Sequence, residues 1–182
     1  MKTKAEIRKA ISAKLDNHEP KVKGEKDKII EKRFLSLAEF KQAKVIAFYV
    51  SLKTEVSTEA LIDRALATGK RVVVPVIVGD DLRLSEIKDR KAELAEGPYG
   101  ILQPAGVTQK AFPKAKIDLI VVPALAFTES GSRLGRGKGF YDRFLKDLPG
   151  SIKKVGLAYD LQITEDLPTT PQDIPVDIVI TN

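Results

Sequence analysis

Residues 133–144 read RLGRGKGFYDRF, a stretch that joins glycines and cations to aromatics and an aspartate. Gly135, Gly137 and Gly139 alternate with Arg136 and Lys138. Glycine lets a backbone approach a ligand in conformations closed to other residues, and successive free N–H groups can form a nest for an anion. Arg136 offers a planar fork and Lys138 a compact point charge, both suited to phosphate. Phe140/Phe144 and Tyr141/Leu145/Leu148 then repeat at helical spacing. A helix beginning here would aim further N–H groups at the same anion. Asp142 could hold a magnesium ion beside it, since that ion takes one or two carboxylates plus phosphate oxygens.

Two familiar nucleotide loops do not fit. A Walker loop needs glycine, four residues, then Gly-Lys-Ser/Thr, whereas Gly137-Lys138 is followed by Gly139 and position 132 is serine. The dinucleotide pattern G-x-G-x-x-G fails at Phe140. Basic loops that bind RNA use the same residue types, and Asp142 could simply complement a helix dipole. Single-strand binders, however, present exposed stacking rings among their cations, and here the rings follow helical spacing. On residue chemistry alone, a phosphate pocket and a nucleic-acid loop both remain open.

The hydrophobic pattern predicts what positions this loop. Ile7, Ile11 and Leu15, four residues apart, predict an amphipathic helix over about 4–15. Pro20 punctuates it, and a second helix with Val22, Ile29, Ile30 and Phe34 is expected to run to about Ser36. VIAFYV (45–50) reads as a strand covered on both faces. Ser57 or Thr58 offers an N-cap for a helix through Leu61, Ile62, Ala65 and Leu66, ended by Gly69. Strands are expected at 71–76, 82–87, 117–123, 153–159 and 176–181, with a helix over about 139–147. Alternating strands and helices predict an α/β fold. The expectation is one three-layer αβα domain over 1–182 with a mostly parallel sheet, on which the helices of segment 1–44 pack against a 45–182 core. Ligands bind such sheets outside the carboxyl ends of the strands, and the glycine–cation loop follows the strand 117–123.

Composition narrows the classes. The sequence contains no cysteine, which excludes disulfides and thiolate metal sites. No apolar stretch approaches the ~18 residues of a membrane span. The amino terminus, MKTKAEIRKAISAKLDN, carries charge throughout and does not read as a secretory signal. A cytoplasmic protein with no membrane partner is expected. The net charge of +6 is concentrated: residues 1–44 hold 13 Lys/Arg against 7 Asp/Glu, and residues 45–182 hold 18 of each. Such a surface attracts nucleic acid, nucleotides or poly-acidic small molecules, although a solvated pair of helices would show the same charge.

PALAFTESGSRLGRGKGFYDRFL (123–145) closely resembles the signature of the 5-formyltetrahydrofolate cyclo-ligase family. Four further segments are similar in the same order: KAEIRKAI (4–11), YVSLKTEVST (49–58), GPYGILQP (97–104) and QDIPVDIVIT (172–181). The resemblance spans nearly the whole chain and implies a ring closure dependent on ATP and Mg2+. ATP would phosphorylate the formyl oxygen of 5-formyltetrahydrofolate, N10 would attack the activated carbon, and loss of phosphate would give 5,10-methenyltetrahydrofolate and ADP.

The resemblance also implies a set of site residues. Lys4, Arg8 and the run Arg133, Leu134, Gly135, Arg136, Gly137, Lys138, Gly139, Phe140 and Tyr141 would meet ATP. Lys4 and Arg8 fall on one helical face. Arg136, Lys138 and Tyr141 would be catalytic, and residues 136–140 would also touch the folate. Val50, Glu55 and Tyr99 would complete the folate site, with Glu55 accepting from pterin N–H groups and Tyr99 stacking on the ring. Asp142, with Asp177 as a second contact, would hold the metal. Implied partners are ATP and 5-formyltetrahydrofolate, for whose poly-glutamated forms the N-terminal charge is suited, with no nucleic acid and a monomeric protein.

Some positions depart from the family pattern. Ala124 and Thr128 stand where Gly and Asp are often found, Phe140 replaces a commoner Tyr, and Gln172 stands where His is frequent. Two other classes of function compete. One is a nucleic-acid-binding module built on the N-terminal helices, with steeply salt-dependent affinity. The other is a related α/β domain that acts on a different phosphorylated metabolite or serves as an accessory subunit.

Overall fold

The computed structural model describes residues 2–105 and 111–182. Helix α1 (Lys4–Asp16) begins in a capping box, where the Thr3 hydroxyl accepts from the Glu6 N–H and Glu6 accepts from Thr3. Helix α2 (Pro20–Ser36) starts on proline, whose missing N–H costs nothing at that position. A short α3 (Ala38–Gln42) leads into β1 (Val45–Ala47), α4 (Glu59–Ala67), β2 (Arg71–Val78) and β3 (Asp81–Ile87). Next come α5 (Arg90–Glu93), a hairpin of β4 (Leu94–Glu96) and β5 (Leu102–Pro104), β6 (Leu119–Val122), and a second hairpin of β7 (Ala126–Phe127) and β8 (Arg133–Leu134). Helix α6 (Phe140–Lys146), β9 (Lys153–Leu157) and β10 (Ile178–Ile180) complete the chain.

The main sheet has the order β10-β9-β6-β1-β2-β3. Every pairing in it is parallel except β2–β3 at one edge. Side chains alternate between two cores, as the pleat requires. Ile46, Val72, Val74, Val121 and Leu157 face one core with Ile7, Ile11, Ile30, Phe34, Leu61 and Ile62 from α1, α2 and α4. Ala47, Val73, Ile120 and Val122 face the other with Phe144 and Leu145 of α6. The expected three layers are therefore present, with the N-terminal helices packed on the sheet.

Several details differ from the pattern-based expectation. The apolar run 45–50 forms a ladder only over Val45–Ala47; Phe48 still donates to Val73 O, and Tyr49 and Val50 stay buried in extended chain leading to the cleft described below. Thr58 occupies the N-cap of α4, but its hydroxyl donates to Tyr49 O at 2.7 Å instead of capping the helix. Helix α3 and the two small hairpins have no periodic signal long enough to reveal them. Part of the N-terminal charge is committed to ion pairs: Lys4 with Asp173, Lys26 with Asp160, and Lys23 with Asp27 in its own helix.

Candidate active site

A cleft of about 480 Å³ opens at the carboxyl ends of β1, β2 and β6. It is the location that a parallel sheet provides, because loops leaving adjacent strands diverge there. One wall is the segment from Arg133 through Asp142, which runs from β8 into α6. Gly137 and Gly139 carry φ of 97° and 68°, in the left-handed region that favours glycine. A side chain at Gly137 would come 3.5 Å from the Arg8 guanidinium, and one at Gly139 would come 2.7 Å from Arg143. Helix α6 has only seven residues, so its dipole is small and the loop backbone with its cations dominates the field on this wall.

Charge pairs fix the cationic wall. Arg133 is almost wholly buried, with 2% of its side chain exposed, and donates to Asp142 Oδ1, which also accepts from the Ile174 N–H at 3.3 Å. Burial pushes the Arg133 guanidinium down from its ordinary value, opposed by the charge of Asp142 and by Tyr141 and Asp173. Its Nε is buried without a hydrogen-bond partner. Arg8 reaches in from α1 and donates to Gly135 O at 2.9 Å. Lys4 pairs with Asp173 at 2.6 Å beside the cleft. Burial works against the ionised form of Asp173, but hydrogen bonds from Lys4 and Thr170 outweigh it and hold its carboxyl below the ordinary value.

The opposite wall is mostly apolar. Val50, Pro75, Ile77, Leu82 and Ile101 line it, with the Glu55 carboxylate at one end. Glu55 is 12% exposed; one of its oxygens accepts from the Leu52 N–H at 2.9 Å, and the other accepts from Arg136 Nε at 3.3 Å across the cleft. Tyr99 stands at the rim with φ of 62° and 65% of its surface exposed. Its ring lies 6.4 Å from that of Phe140, and Lys138 Nζ sits 5.4 Å from its centroid. Tyr141 lies on the floor; burial, then the nearby Glu55 charge, raises its phenol well above the ordinary range, so the hydroxyl keeps its proton.

The structure thus brings Arg8, Val50, Glu55, Tyr99 and the whole run 133–142 to one cleft, with Lys4 adjoining through Asp173. Asp177 goes elsewhere. It lies at the amino end of β10, where it accepts from the Lys154 N–H at 2.7 Å and pairs with Lys154 Nζ at 3.0 Å, and it does not line the cleft. Asp173, four residues earlier, does line it. Asp173 lies in the same QDIPVDIVIT segment as Asp177, and spacing alone gives no reason to choose between them. The apolar residues Pro75, Ile77 and Leu82 carry no signal beyond their strands. Among the described residues no group of three or more His, Asp or Glu could enclose a metal. Asp142 and Asp173 nevertheless supply two hard oxygen donors beside an anion loop, a set that fits magnesium shared with phosphate.

A three-layer fold with a glycine–cation loop facing an apolar wall across one cleft defines the α/β class of this protein. The chain belongs to the 5-formyltetrahydrofolate cyclo-ligase family, whose profile matches residues 1–182. It is 38% identical over 152 residues to a 5-formyltetrahydrofolate cyclo-ligase of Haemophilus influenzae, covering 80% of each chain. It is 35% identical over 144 residues to the Escherichia coli protein of that name, covering 76% of this chain and 78% of that one. Among solved structures, Aquifex aeolicus 5,10-methenyltetrahydrofolate synthetase superposes with a TM-score of 0.86 at 35% identity, covering 98% of this chain and 89% of that one. A Mycoplasma pneumoniae 5,10-methenyltetrahydrofolate synthetase superposes with a TM-score of 0.79 at 26% identity, covering 97% of each.

Proposed function

We propose that this protein converts 5-formyltetrahydrofolate and ATP to 5,10-methenyltetrahydrofolate, ADP and phosphate, with magnesium. The observation that carries this reading is the convergence of Arg8, Arg133, Arg136, Lys138 and three glycines on one cleft whose facing wall is apolar and ends in a carboxylate. Phosphoryl transfer needs positioning and charge neutralisation more than a protein nucleophile. The folate supplies both reacting atoms. Its formyl oxygen takes the γ-phosphoryl group as ADP leaves; N10 then attacks the formyl carbon, and the C–O bond breaks to release that oxygen as phosphate while N10 loses its proton.

On this reading the loop backbone from Gly135 to Gly139 cradles the transferring group, and Lys138 and Arg136 neutralise the charge that develops on it. Buried Arg133, paired with Asp142, adds positive charge to this wall. Asp142 and Asp173, in place of Asp177, would hold the magnesium, which when bound would shield phosphate charge and orient the polyphosphate. Glu55 accepts from pterin N–H groups, Val50, Ile77 and Leu82 cover the ring, and Tyr99 with Phe140 closes the rim. Tyr141, protonated, serves as a hydrogen-bond donor at the floor. Lys4 acts by setting Asp173.

The test is a spectrophotometric assay with 5-formyltetrahydrofolate, ATP and magnesium, following the near-ultraviolet absorbance of the methenyl product. Wild type is expected to raise that absorbance only when both substrates are present. Lys138→Ala is expected to lower kcat/KM by about 100- to 1,000-fold, the scale of losing one transition-state donor. Absence of folate-dependent ATP turnover in a folded protein that also fails to bind an ATP analogue would overturn the reading.

A further inference from the structure

Behind the folate wall lies a buried polar cluster that meets the cleft only through Tyr49 and Glu55. Tyr159, which follows β9, is fully buried, and its hydroxyl reaches Asp27 Oδ1 at 2.6 Å and Glu55 O at 3.1 Å. The same Asp27 oxygen accepts from the Ser57 N–H at 3.1 Å, and its other oxygen pairs with Lys23 at 2.9 Å. Between these two anchor points, Val56 O accepts from the Tyr49 hydroxyl at 2.8 Å. Three consecutive residues of the loop are therefore tied from behind by side chains of α2, of the chain that follows β9, and of the start of the same connection. Burial, then the bond to Asp27, raises the Tyr159 phenol well above its ordinary range, so it is a constant donor. Neither Asp27 nor Tyr159 lines the cleft.

We infer that Asp27 and Tyr159 are positioning residues for the folate site, acting through the backbone of Glu55–Ser57 to aim the Glu55 carboxylate. The physical argument is one of freedom. Glu55 belongs to an eleven-residue connection between β1 and α4, without a ladder of its own. A carboxylate that must meet two N–H groups of a flat ring needs a fixed backbone, because small displacements weaken both bonds. The N-terminal helix α2 supplies that fixity through Asp27, which gives segment 1–44 a part in recognition distinct from its charge. The inference rests on Glu55 being the folate carboxylate.

The experiment compares full-length wild type with Tyr159→Phe, Glu55→Gln and the double variant, measuring KM for 5-formyltetrahydrofolate, KM for ATP and kcat. Tyr159→Phe keeps the ring volume and removes only the hydroxyl. It is expected to raise folate KM about 5- to 10-fold, the scale of a buried hydrogen bond, with kcat and ATP KM within about twofold. On the Glu55→Gln background the same change should cost less than about twofold, since it acts through the group already altered. Asp27→Ala should follow Tyr159→Phe, and Asp27→Asn, which keeps an acceptor for Ser57 and Tyr159, should recover most of the folate KM. A Tyr159→Phe enzyme with unchanged folate KM would overturn the inference. So would parallel losses in folate KM, ATP KM and kcat, or an effect fully additive with Glu55→Gln. If wild type shows no folate-dependent turnover, the proposed function itself has failed, and the two failures are separable.

Discussion

The segment from Arg133 to Asp142 and the segment from Val50 to Thr58 face each other across one cleft, yet different forces hold them. The first depends on charged side chains: Arg133 pairs with Asp142 within the segment, while Arg8 donates to Gly135 O and Lys4 pairs with Asp173 from the opposite end of the chain. The second depends on backbone groups held by buried hydroxyls and a carboxylate: Val56 O on Tyr49, Glu55 O on Tyr159, Ser57 N–H on Asp27. A wall that meets polyphosphate must carry excess charge, and paired acids are what keep that charge in place before the ligand arrives. A wall that meets a flat ring must instead be dry and fixed in shape. Changes on the two walls should therefore separate in their kinetic effects.

The largest effect is expected where the ionic wall is most buried. Arg133→Ala leaves Asp142 without its cation, and should cost about 3–5 kcal/mol of stability as measured by urea denaturation, and weaken ATP-analogue binding. A loss below about 1 kcal/mol would mean that this wall does not depend on that pair. On the other wall, Glu55→Gln should lower kcat/KM for the folate roughly 10- to 100-fold, the scale of a charged hydrogen bond. ATP-analogue affinity should not weaken, because the change only removes the charge that holds Arg136 to residue 55. Weaker nucleotide binding in this variant would break the division between the walls. At the rim, Tyr99→Ala should raise folate KM about 3- to 10-fold through lost stacking, whereas Tyr99→Phe should leave it near wild type.

The smallest effect lies behind the folate wall. Both ring nitrogens of His18 are buried without partners, and its ring packs edge-on against Tyr159 at 4.7 Å. Burial, then the charges of Lys26 and Lys23, lowers its pKa, against the opposing pull of Asp160 and Asp27. With the folded value below the unfolded one, the unfolded chain binds the proton first as pH falls. Stability is therefore retained above about pH 6.5 and declines as pH drops below that value. Melting should fall by a few degrees between neutral pH and about pH 5.5, and His18→Asn should reduce that slope. An equal slope in both proteins would remove His18 from the account.

Much of this architecture was legible in the sequence because periodicity reports burial. The runs at 71–78 and 119–122 are apolar on both faces because helices cover both sides of the sheet, and Ile7, Ile11 and Leu15 mark one helical stripe because only one side of α1 is covered. The glycine–cation loop was legible for a different reason: its chemistry is local, and all its residues lie within ten positions. Short elements were not. Helix α3, the strands of the hairpin β4–β5 and the shortened β1 span only three to five residues each, too few to show a period.

By itself the sequence determined the layer order, the family pattern and the glycine–cation loop, since each depends on neighbours along the chain. Only the tertiary structure decided which acids reach that loop. Asp173 and Asp177 stand four residues apart in one segment with similar chemistry. Asp177 is drawn to the start of β10, where it satisfies the Lys154 N–H and ammonium at the amino ends of the strands. Asp173 is drawn to the other end, where Lys4 from the far terminus stabilises its charge beside the cleft. The choice between them depends on partners more than twenty residues away for one and on the opposite end of the chain for the other, and no local spacing encodes such partners.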